Sequence, residues 1–251
     1  MKLADIQTAR AAVPPRILIY GEHGIGKSTW AAGAPRPIFL QTEDGLTGID
    51  APRFPLATDF DQVESALTAL CEPHDFGTVI IDSADWLEAI VQRAVAIKAG
   101  HKGIEDFGYG KGYSYACDKF REVLSMLNFL RTERGMGVIL TAHARAKRFN
   151  DPLTEPYDRY EIKLHEKTAN LLCEWCDVVG FASLRYTTKS ADGGFGGKVT
   201  RAVETGERTL SVISSPAYEA KNRYGILNGT MPLTYAALEM AITANTQAKE
   251  F

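Results

Sequence analysis

The sequence predicts an α/β protein built on a mostly parallel, twisted sheet flanked by helices. Continuously apolar segments at 16–20, 37–40, 78–82 and 137–142 are typical of strands buried on both faces of a parallel sheet. Segments with helical spacing separate these strands along the chain. A glycine-rich sequence joins the first strand directly to a predicted helix at 27–32, which gives a strand–loop–helix unit.

The remaining patterns add helices and a C-terminal β-hairpin extension. Further helices are predicted at 59–70, 83–99, 113–133 and 234–244. Alternating β character at 178–186 and 198–204 flanks a turn-forming segment at 191–197, which predicts the hairpin, and 209–214 predicts one more strand. The glycine-rich linker 100–112 is expected to be a loop.

Size and charge limit what the chain can be. The 251 residues are 45% hydrophobic, which suffices for one large α/β domain over 1–251. Lys and Arg total 28 against 31 Asp and Glu, so the net charge of −3 gives no overall case for nucleic-acid binding. No apolar run approaches the roughly 20 residues of a membrane span, and the N-terminal segment lacks the apolar stretch of a secretory signal. We therefore expect a cytoplasmic protein without a membrane partner.

The four cysteines favour a structural over a metal-binding role. Among Cys71, Cys117, Cys173 and Cys176, only the last two form a CxxC pair. A zinc site needs two more ligands at suitable spacing, and neither of the other cysteines has a nearby histidine or a second CxxC. Buried thiols in a reducing compartment are the favoured interpretation, and metal binding through sulfur is the weaker one.

The segment 21–28, GEHGIGKS, matches the phosphate-binding pattern GxxxxGK[ST] in full and lies between a predicted strand and helix. Its glycines let backbone N–H groups turn toward one anion, Lys27 is expected to contact the β- and γ-phosphates of ATP, and Ser28 to bind Mg²⁺. A glycine-rich turn without a ligand is the alternative. The predicted nucleotide-binding residues are Gly21, Glu22, His23, Gly24, Ile25, Gly26, Lys27, Ser28 and Thr29.

Three polar residues follow other predicted strands at the edge where ligands bind such sheets. Asp82 ends a buried strand and is expected to hold the Mg²⁺ shell, although such an aspartate can also be a helix N-cap. Glu43 is expected to orient water against the γ-phosphate, with a solvated turn as the alternative. His143 could sense that phosphate or polarise the water, although a lone histidine is often structural.

In this order, the loop, the 39–45 segment with Glu43, the 81–83 segment and the strand ending at His143 resemble the RecA-like ATPases, within the P-loop NTPases. Lys221 and Arg223 are similar to the Lys-x-Arg element of DnaB-type helicases in that superfamily. The resemblance implies that both cations reach the γ-phosphate of a neighbouring subunit, as residues two apart on a strand share a face. An exposed cation pair on a turn is the alternative.

A compact RecA-like core over about 14–242 looks most like a phage-encoded family that includes single-strand annealing proteins. This resemblance implies a DNA-dependent ATPase that uses ATP and Mg²⁺, binds single-stranded DNA and promotes annealing or strand pairing in recombination. It also implies a homo-oligomer, as a ring or a filament, in the host cytoplasm, with a single-strand DNA-binding protein as a further candidate partner. A helicase or translocase motor is the first alternative, and a small-molecule kinase is the second.

Two segments are candidates for binding single-stranded DNA, because cations follow phosphates and aromatic rings stack on bases at ~1 to 3 kcal/mol each. The first follows His143, in the position of the loop that faces DNA in RecA-like proteins, and the second is the glycine-rich segment 101–113. The alternative is a solvated loop with tyrosines at a subunit interface, because nearby carboxylates dilute the positive charge. The predicted contacts are Arg145, Lys147, Arg148 and Phe149 in the first segment, and Lys102 and Lys111 in the second.

Overall fold

A computed structural model describes residues 13–193 and 197–247, which form nine strands, six α-helices and a 3₁₀ helix at Ile104–Phe107. The strands are β1 (Arg16–Gly21), β2 (Pro37–Gln41), β3 (Thr78–Asp82), β4 (Gly137–Phe149), β5 (Tyr157–Ile162), β6 (Val178–Gly193), β7 (Gly197–Ser211), β8 (Lys221–Asn222) and β9 (Thr230–Pro232). The α-helices are α1 (Lys27–Ala32), α2 (Phe60–Ala69), α3 (Ala84–Lys98), α4 (Lys111–Glu133), α5 (Glu166–Trp175) and α6 (Tyr235–Gln247).

The main sheet has the strand order β2-β3-β4-β1-β6-β7-β9. Its first five strands, from β2 to β6 in this order, are parallel. β7 pairs antiparallel with β6 on one side and with β9 on the other. This confirms the predicted mostly parallel sheet with a C-terminal hairpin, although residues 194–196 of the predicted turn lie outside the described residues. Because the carboxyl ends of parallel strands meet at one edge, the ends of β1, β2 and β3 and residue His143 of β4 lie along the same edge.

Alternate residues of the buried strands feed two hydrophobic clusters, one on each face of the sheet. On β1, Leu18 and Tyr20 pack in the larger cluster with apolar side chains of α2, α3, α4 and α5. Ile17 and Ile19 pack in the other cluster with side chains of α1, β7 and α6. The helices therefore cover both faces, which is why the strands are apolar without alternation.

The described chain contains α5, β5, β8 and β9, which the sequence did not predict, and two predicted features differ from it. β4 continues past His143 to Phe149 and pairs antiparallel with β5, so the segment expected as a loop is a two-stranded structure, which we call the β4–β5 arm (144–149 and 157–162). The strands predicted separately at 198–204 and 209–214 are one strand, β7, interrupted by an irregularity opposite Arg185. The arm was missed because its charged residues hide the alternation of a strand, and the single strand β7 was missed because residues 205–207, which stand opposite Arg185, interrupt the alternation.

The described cysteines are free thiols in or near the core. Cys176 is fully buried, and burial raises the pKa values of both Cys173, to about 12, and Cys176. Both thiols are therefore protonated at neutral pH. No cluster of three or more His, Cys, Asp or Glu residues within 13–193 and 197–247 has a metal-binding arrangement. None of the described helices is long and apolar enough to cross a membrane.

Candidate functional site

A cleft of about 390 Å³ opens at the carboxyl edge of the sheet, beside the end of β1. In the sheet, Gly21 of β1 lies next to His143 of β4, and β4 separates β1 from β3. Residues from four segments that are far apart in sequence therefore meet around this cleft. The predicted residues that line it are His23, Gly24, Gly26, Lys27, Ser28, Thr29, Glu43, Asp82 and His143.

The loop between β1 and α1 has a backbone that requires glycine at two positions. Gly24 and Gly26 have φ angles of 75° and 103°, which are strained for residues with a side chain. Lys27 follows directly and is 6% exposed, and its Nζ donates to the carbonyl oxygens of Gly21 (3.1 Å) and Glu22 (2.9 Å). Burial lowers the pKa of Lys27, while three nearby carboxylates, foremost that of Asp82, act in the opposite direction.

Three residues of the predicted loop do not line the cleft. A Cβ on Gly21 would lie 2.4 Å from the carbonyl oxygen of Ala182 on β6, so this glycine permits the close approach of two strands. Ile25 is buried in the core cluster beneath the loop. The Glu22 carboxylate accepts a hydrogen bond from the Tyr160 hydroxyl (3.3 Å), and only its main-chain oxygen contacts Lys27.

Ser28 and Asp82 bring oxygen atoms to the cleft, which is the ligand type that Mg²⁺ prefers. The Asp82 carboxylate is buried and accepts a hydrogen bond from the Thr141 hydroxyl on the intervening strand β4. This bond fixes the carboxylate between the two strands and leaves its remaining lone pairs for other partners. With the Lys27 ammonium beside them, these residues fit a magnesium–nucleotide complex, in which Ser28 and Asp82 would hold the metal.

Hydrogen bonds between the ends of β2 and β3 hold Glu43 at the cleft. The backbone N–H groups of Thr42 and Glu43 donate to the carbonyl oxygen of Asp82, at 2.8 and 3.3 Å. The Ser83 hydroxyl then donates to Glu43 Oε2 (3.0 Å). The carboxylate is thereby oriented by a neutral donor and stays available as an acceptor for water in the cleft.

Asp85 is a site residue that the sequence analysis did not identify. Its carboxylate accepts the backbone N–H of His143 (3.1 Å) and lies 2.9 Å from His143 Nδ1. Burial alone raises the pKa of Asp85, but the His143 hydrogen bond and charge outweigh it and hold the pKa below its usual value. With Nδ1 engaged by Asp85, Nε2 is the ring nitrogen left for other partners. Glu43 Oε2 lies 3.9 Å from the same Nδ1, so the three side chains form one cluster.

Lys221 and Arg223 lie away from the cleft of their own chain. They stand at or just after β8, which pairs with the start of β6, and the start of β6 lies at the amino edge of the sheet. Lys221 Nζ donates to the Cys173 carbonyl oxygen (2.6 Å), while Arg223 Nη1 donates to Asp177 Oδ1 (3.0 Å). Both cations thus have partners in their own chain, and their role at a neighbouring subunit stays a prediction.

The β4–β5 arm brings most of the first set of predicted DNA contacts to one surface. Arg145, Lys147 and Phe149 alternate along β4 and therefore share a face. They line a concave surface of about 620 Å³ together with Arg159, whose guanidinium lies 4.5 Å from the Phe149 ring centroid. Arg148, also exposed, lies 3.7 Å from an Asp158 carboxylate oxygen. The arm is thus a basic and aromatic surface directly after His143.

The second predicted segment lies near the far end of the arm's second strand. Lys102 and Lys111 are exposed on either side of the 3₁₀ helix. Two residues after Lys111, the Tyr113 ring stacks on His165 with centroids 4.0 Å apart. His165 follows β5 and caps α5, so this segment contacts the connection that leaves the arm.

The comparisons with known proteins agree with this architecture. A family model described as an AAA domain matches residues 13–224, which include every element from β1 to β8. The chain is also similar to the SPbeta prophage-derived uncharacterized protein YorG of Bacillus subtilis (strain 168), with 28% identity over 135 residues. That match covers 51% of this chain and 40% of YorG, so the chain spans well under two thirds of this relative. Since the family model covers most of the sequence, the chain belongs to the AAA domain family of P-loop NTPases.

Proposed function

We propose that this protein hydrolyses Mg·ATP in the cleft and uses the nucleotide state to control single-stranded DNA on the β4–β5 arm, promoting annealing or strand pairing. The observation that carries this proposal is the course of β4. The strand places His143 in the cleft and then, without a break, presents Arg145, Lys147 and Phe149 on the arm. One strand thus connects the phosphate site to a basic and aromatic surface.

The cleft has a group for each requirement of phosphoryl transfer. Lys27 binds the β- and γ-phosphates, and Ser28 and Asp82 hold the metal. Mg²⁺, when bound, neutralises charge that develops on the phosphate oxygens. Glu43 accepts a hydrogen bond from the attacking water and orients it, while Ser83 fixes the carboxylate. His143, held through Nδ1 by Asp85, presents Nε2 toward the terminal phosphate, to whose oxygens this nitrogen donates when it carries a proton.

Replacing Glu43 by glutamine tests the role of its carboxylate. We expect the ATPase rate of Glu43→Gln to fall at least about 100-fold, because the amide cannot accept the proton of the attacking water. Mg·ATP affinity is expected to change less than about 3-fold, since the carboxylate contacts water rather than phosphate. The matched control is Asp44→Asn, which changes the exposed neighbouring carboxylate outside the cleft lining. Equal rates for the two variants would remove Glu43 from the mechanism.

The charge of the arm favours a polyanion. Its two strands contain Arg145, Lys147, Arg148 and Arg159 against Asp158 and Glu161, in a chain of net charge −3. Glu166 and Glu219 also line the concave surface, Glu219 at 3.5 Å from Arg159, so the positive excess there is small. The Lys147–Glu161 and Arg148–Asp158 pairs have distances of 3.4 and 3.7 Å. Such exposed pairs are worth little, about 0 to 1 kcal/mol, so DNA phosphates can replace these partners at small cost. Phe149 supplies a ring on which a base can stack.

The arm's role is tested by a double variant, Arg145→Ala with Lys147→Ala. We expect its affinity for an oligo-dT strand to fall about 10-fold or more at low salt, and the slope of log K against log salt to become shallower by about 1.4. Stimulation of the ATPase by the oligonucleotide should fall in parallel, with the DNA-free rate unchanged. The matched control removes two exposed cations from α3, by Arg93→Ala with Lys98→Ala, at the same change in net charge.

Unchanged oligo-dT affinity in the arm variant would contradict the proposed DNA surface. Two further outcomes separate the competing functions. ATP-dependent displacement of a strand from forked DNA would favour a motor over an annealing protein. An ATPase rate that does not respond to single-stranded DNA would favour a small-molecule kinase. Mass measurement with and without Mg·ATP tests the expected homo-oligomer.

A further inference from the structure

Arg208 on β7 reaches the phosphate loop of its own chain. A Cβ added to Gly26 would lie 3.0 Å from Arg208 Nη1, so the guanidinium occupies the space that a side chain at position 26 would need. Arg208 lines the same cleft as Lys27 and His143. It is exposed, and among the described side chains of 13–185 and 205–246 its guanidinium forms no hydrogen bond or ion pair. The Arg208 guanidinium thus lies beside the phosphate loop and is available to bind an anion in the cleft.

An irregularity in the β6–β7 hairpin directs Arg208 toward the loop. Leu184 pairs with Arg208, but two residues further along β6 the partner is residue 204, so 205–207 stand opposite Arg185 alone. Gly206 has a φ of 76°, and the Thr205 hydroxyl donates to the Arg185 carbonyl oxygen (2.9 Å). Bulges of this kind bend a strand and redirect the side chains beside them, and they recur next to functional sites.

The segment between β9 and α6 fixes the backbone of Arg208 relative to α1. The Leu233 N–H donates to the Arg208 carbonyl oxygen (3.0 Å), and Leu233 Cδ2 lies 3.9 Å from the Cβ position built on Gly26. Tyr235, at the start of α6, packs on Trp30 of α1 with ring centroids 5.4 Å apart. These contacts therefore connect the backbone of Arg208 with the phosphate loop and α1.

We infer that Arg208 binds the terminal phosphate of the nucleotide held by its own chain, an inference that rests on the proposed nucleotide-binding function. A guanidinium carries a fixed charge and five N–H donors in a planar fork, which suits phosphate oxygens. With Lys27 it gives the cleft a second cation, on the side opposite the ends of β2 and β3. A cation in this position stabilises the charge that spreads over the phosphate oxygens during transfer.

Nucleotide binding by Arg208→Ala, Arg208→Lys and a control variant tests this inference by calorimetry. We expect Arg208→Ala to weaken binding of a non-hydrolysable Mg·ATP analogue about 10-fold or more, and Mg·ADP less than about 3-fold, because one charge-assisted contact to the third phosphate is lost. Arg208→Lys should be intermediate. The control is Arg185→Ala, on the same hairpin and paired with Glu207, which should bind both nucleotides like the wild type.

The outcomes separate this inference from the proposed function. If the wild type binds both nucleotides and the Arg208 variants bind them equally well, the inference about Arg208 is wrong and the nucleotide site stands. If the wild type binds no nucleotide, both fail. If Arg208→Ala has a lower unfolding midpoint without ligand, its weaker binding does not separate a lost contact from a disturbed fold. The Arg208→Lys variant then gives the decisive measurement. Wild-type affinity of this variant for the triphosphate analogue would contradict the inference, because lysine cannot reproduce the forked contact of a guanidinium with phosphate oxygens.

Mixing experiments test whether Arg208 serves its own chain. A mixture of Lys27→Ala and Arg208→Ala proteins should show only the sum of their separate ATPase rates, because each subunit lacks one cation that a neighbour cannot supply. Recovery of activity in a proven mixed assembly would place Arg208 in a neighbour's site and overturn the assignment to its own chain.

Discussion

Replacement of Lys27 by alanine is expected to weaken Mg·ATP binding about 100-fold or more and to abolish measurable hydrolysis. The ammonium lies in the cleft between the carbonyl oxygens of Gly21 and Glu22 and is ready to exchange them for phosphate oxygens. A charge-assisted hydrogen bond contributes up to about 3 kcal/mol, which corresponds to about 100-fold in affinity. The loss leaves the carboxylates of Asp82 and Glu43 facing the phosphates without this cation.

The matched control for this variant is Lys98→Ala, at the exposed end of α3. It removes the same charge from the chain without altering the cleft, so its affinity for Mg·ATP and its ATPase rate should equal those of the wild type. Calorimetry with both variants, accompanied by thermal unfolding, gives the measurement. Lys27→Ala protein that is folded and still binds Mg·ATP like the wild type would remove the basis of the proposed function.

The second large effect is on stability and concerns Asp177 at the amino edge of the sheet. Its side chain is 9% exposed and lies between three arginines. Arg16 approaches with Nη2 2.8 Å from Oδ1 and its backbone N–H 3.0 Å from Oδ2. Arg131 and Arg223 lie 3.4 and 3.0 Å from the carboxylate. Asp177→Ala should lower the free energy of unfolding by about 3–5 kcal/mol, because it leaves the mostly buried guanidinium groups of Arg16 and Arg131 without this carboxylate.

The same carboxylate gives stability a defined pH dependence. Burial raises the pKa of Asp177, but its hydrogen bonds to Arg16 and the nearby arginine charges outweigh this and hold the pKa below the ordinary value of 3.8. Because the folded-state pKa is depressed, the stabilisation is complete above about pH 4 and is lost as the pH falls through the folded-state value. The stability difference between wild type and Asp177→Asn should therefore shrink below about pH 4.

Urea unfolding at neutral pH and at lower pH measures both effects. Asp118→Ala is the control, since Asp118 is 74% exposed and lies 3.8 Å from Arg121 on α4. Its change should stay below about 0.5 kcal/mol at every pH, as expected for a surface pair. An Asp177→Ala protein as stable as this control would show that the arginine cluster contributes no net stability.

Each part of the site that the sequence predicted is specified by one short, contiguous segment of the chain. The phosphate loop is a contiguous pattern, and Glu43, Asp82 and His143 each follow an apolar strand. Parallel strands bring such ends together whatever their distance in sequence, so the cleft could be inferred before any contact was known.

The unpredicted parts depend on contacts that no local pattern records. Asp85 looks like an ordinary acidic residue in the first turn of a helix until His143 is placed beside it. Arg208 lies against Gly26 from a position directly beside the irregularity in β7. The arm was predicted as a loop because its charged residues hid the alternation, which becomes evident once β5 pairs with β4.

Because β4 runs without a break, His143 and the β4–β5 arm belong to one strand. Up to His143 the strand is clamped by β1, and beyond it the only strand paired with β4 in the described chain is β5. The six steps along the strand from His143 to Phe149 span about 20 Å, so a tilt of about 10° at His143 would displace the Phe149 ring by about 3 Å. Under the proposed function, that displacement would be close to the ~3.4 Å rise between successive nucleotides, so a small rearrangement at His143 would move the arm by about the length of one nucleotide.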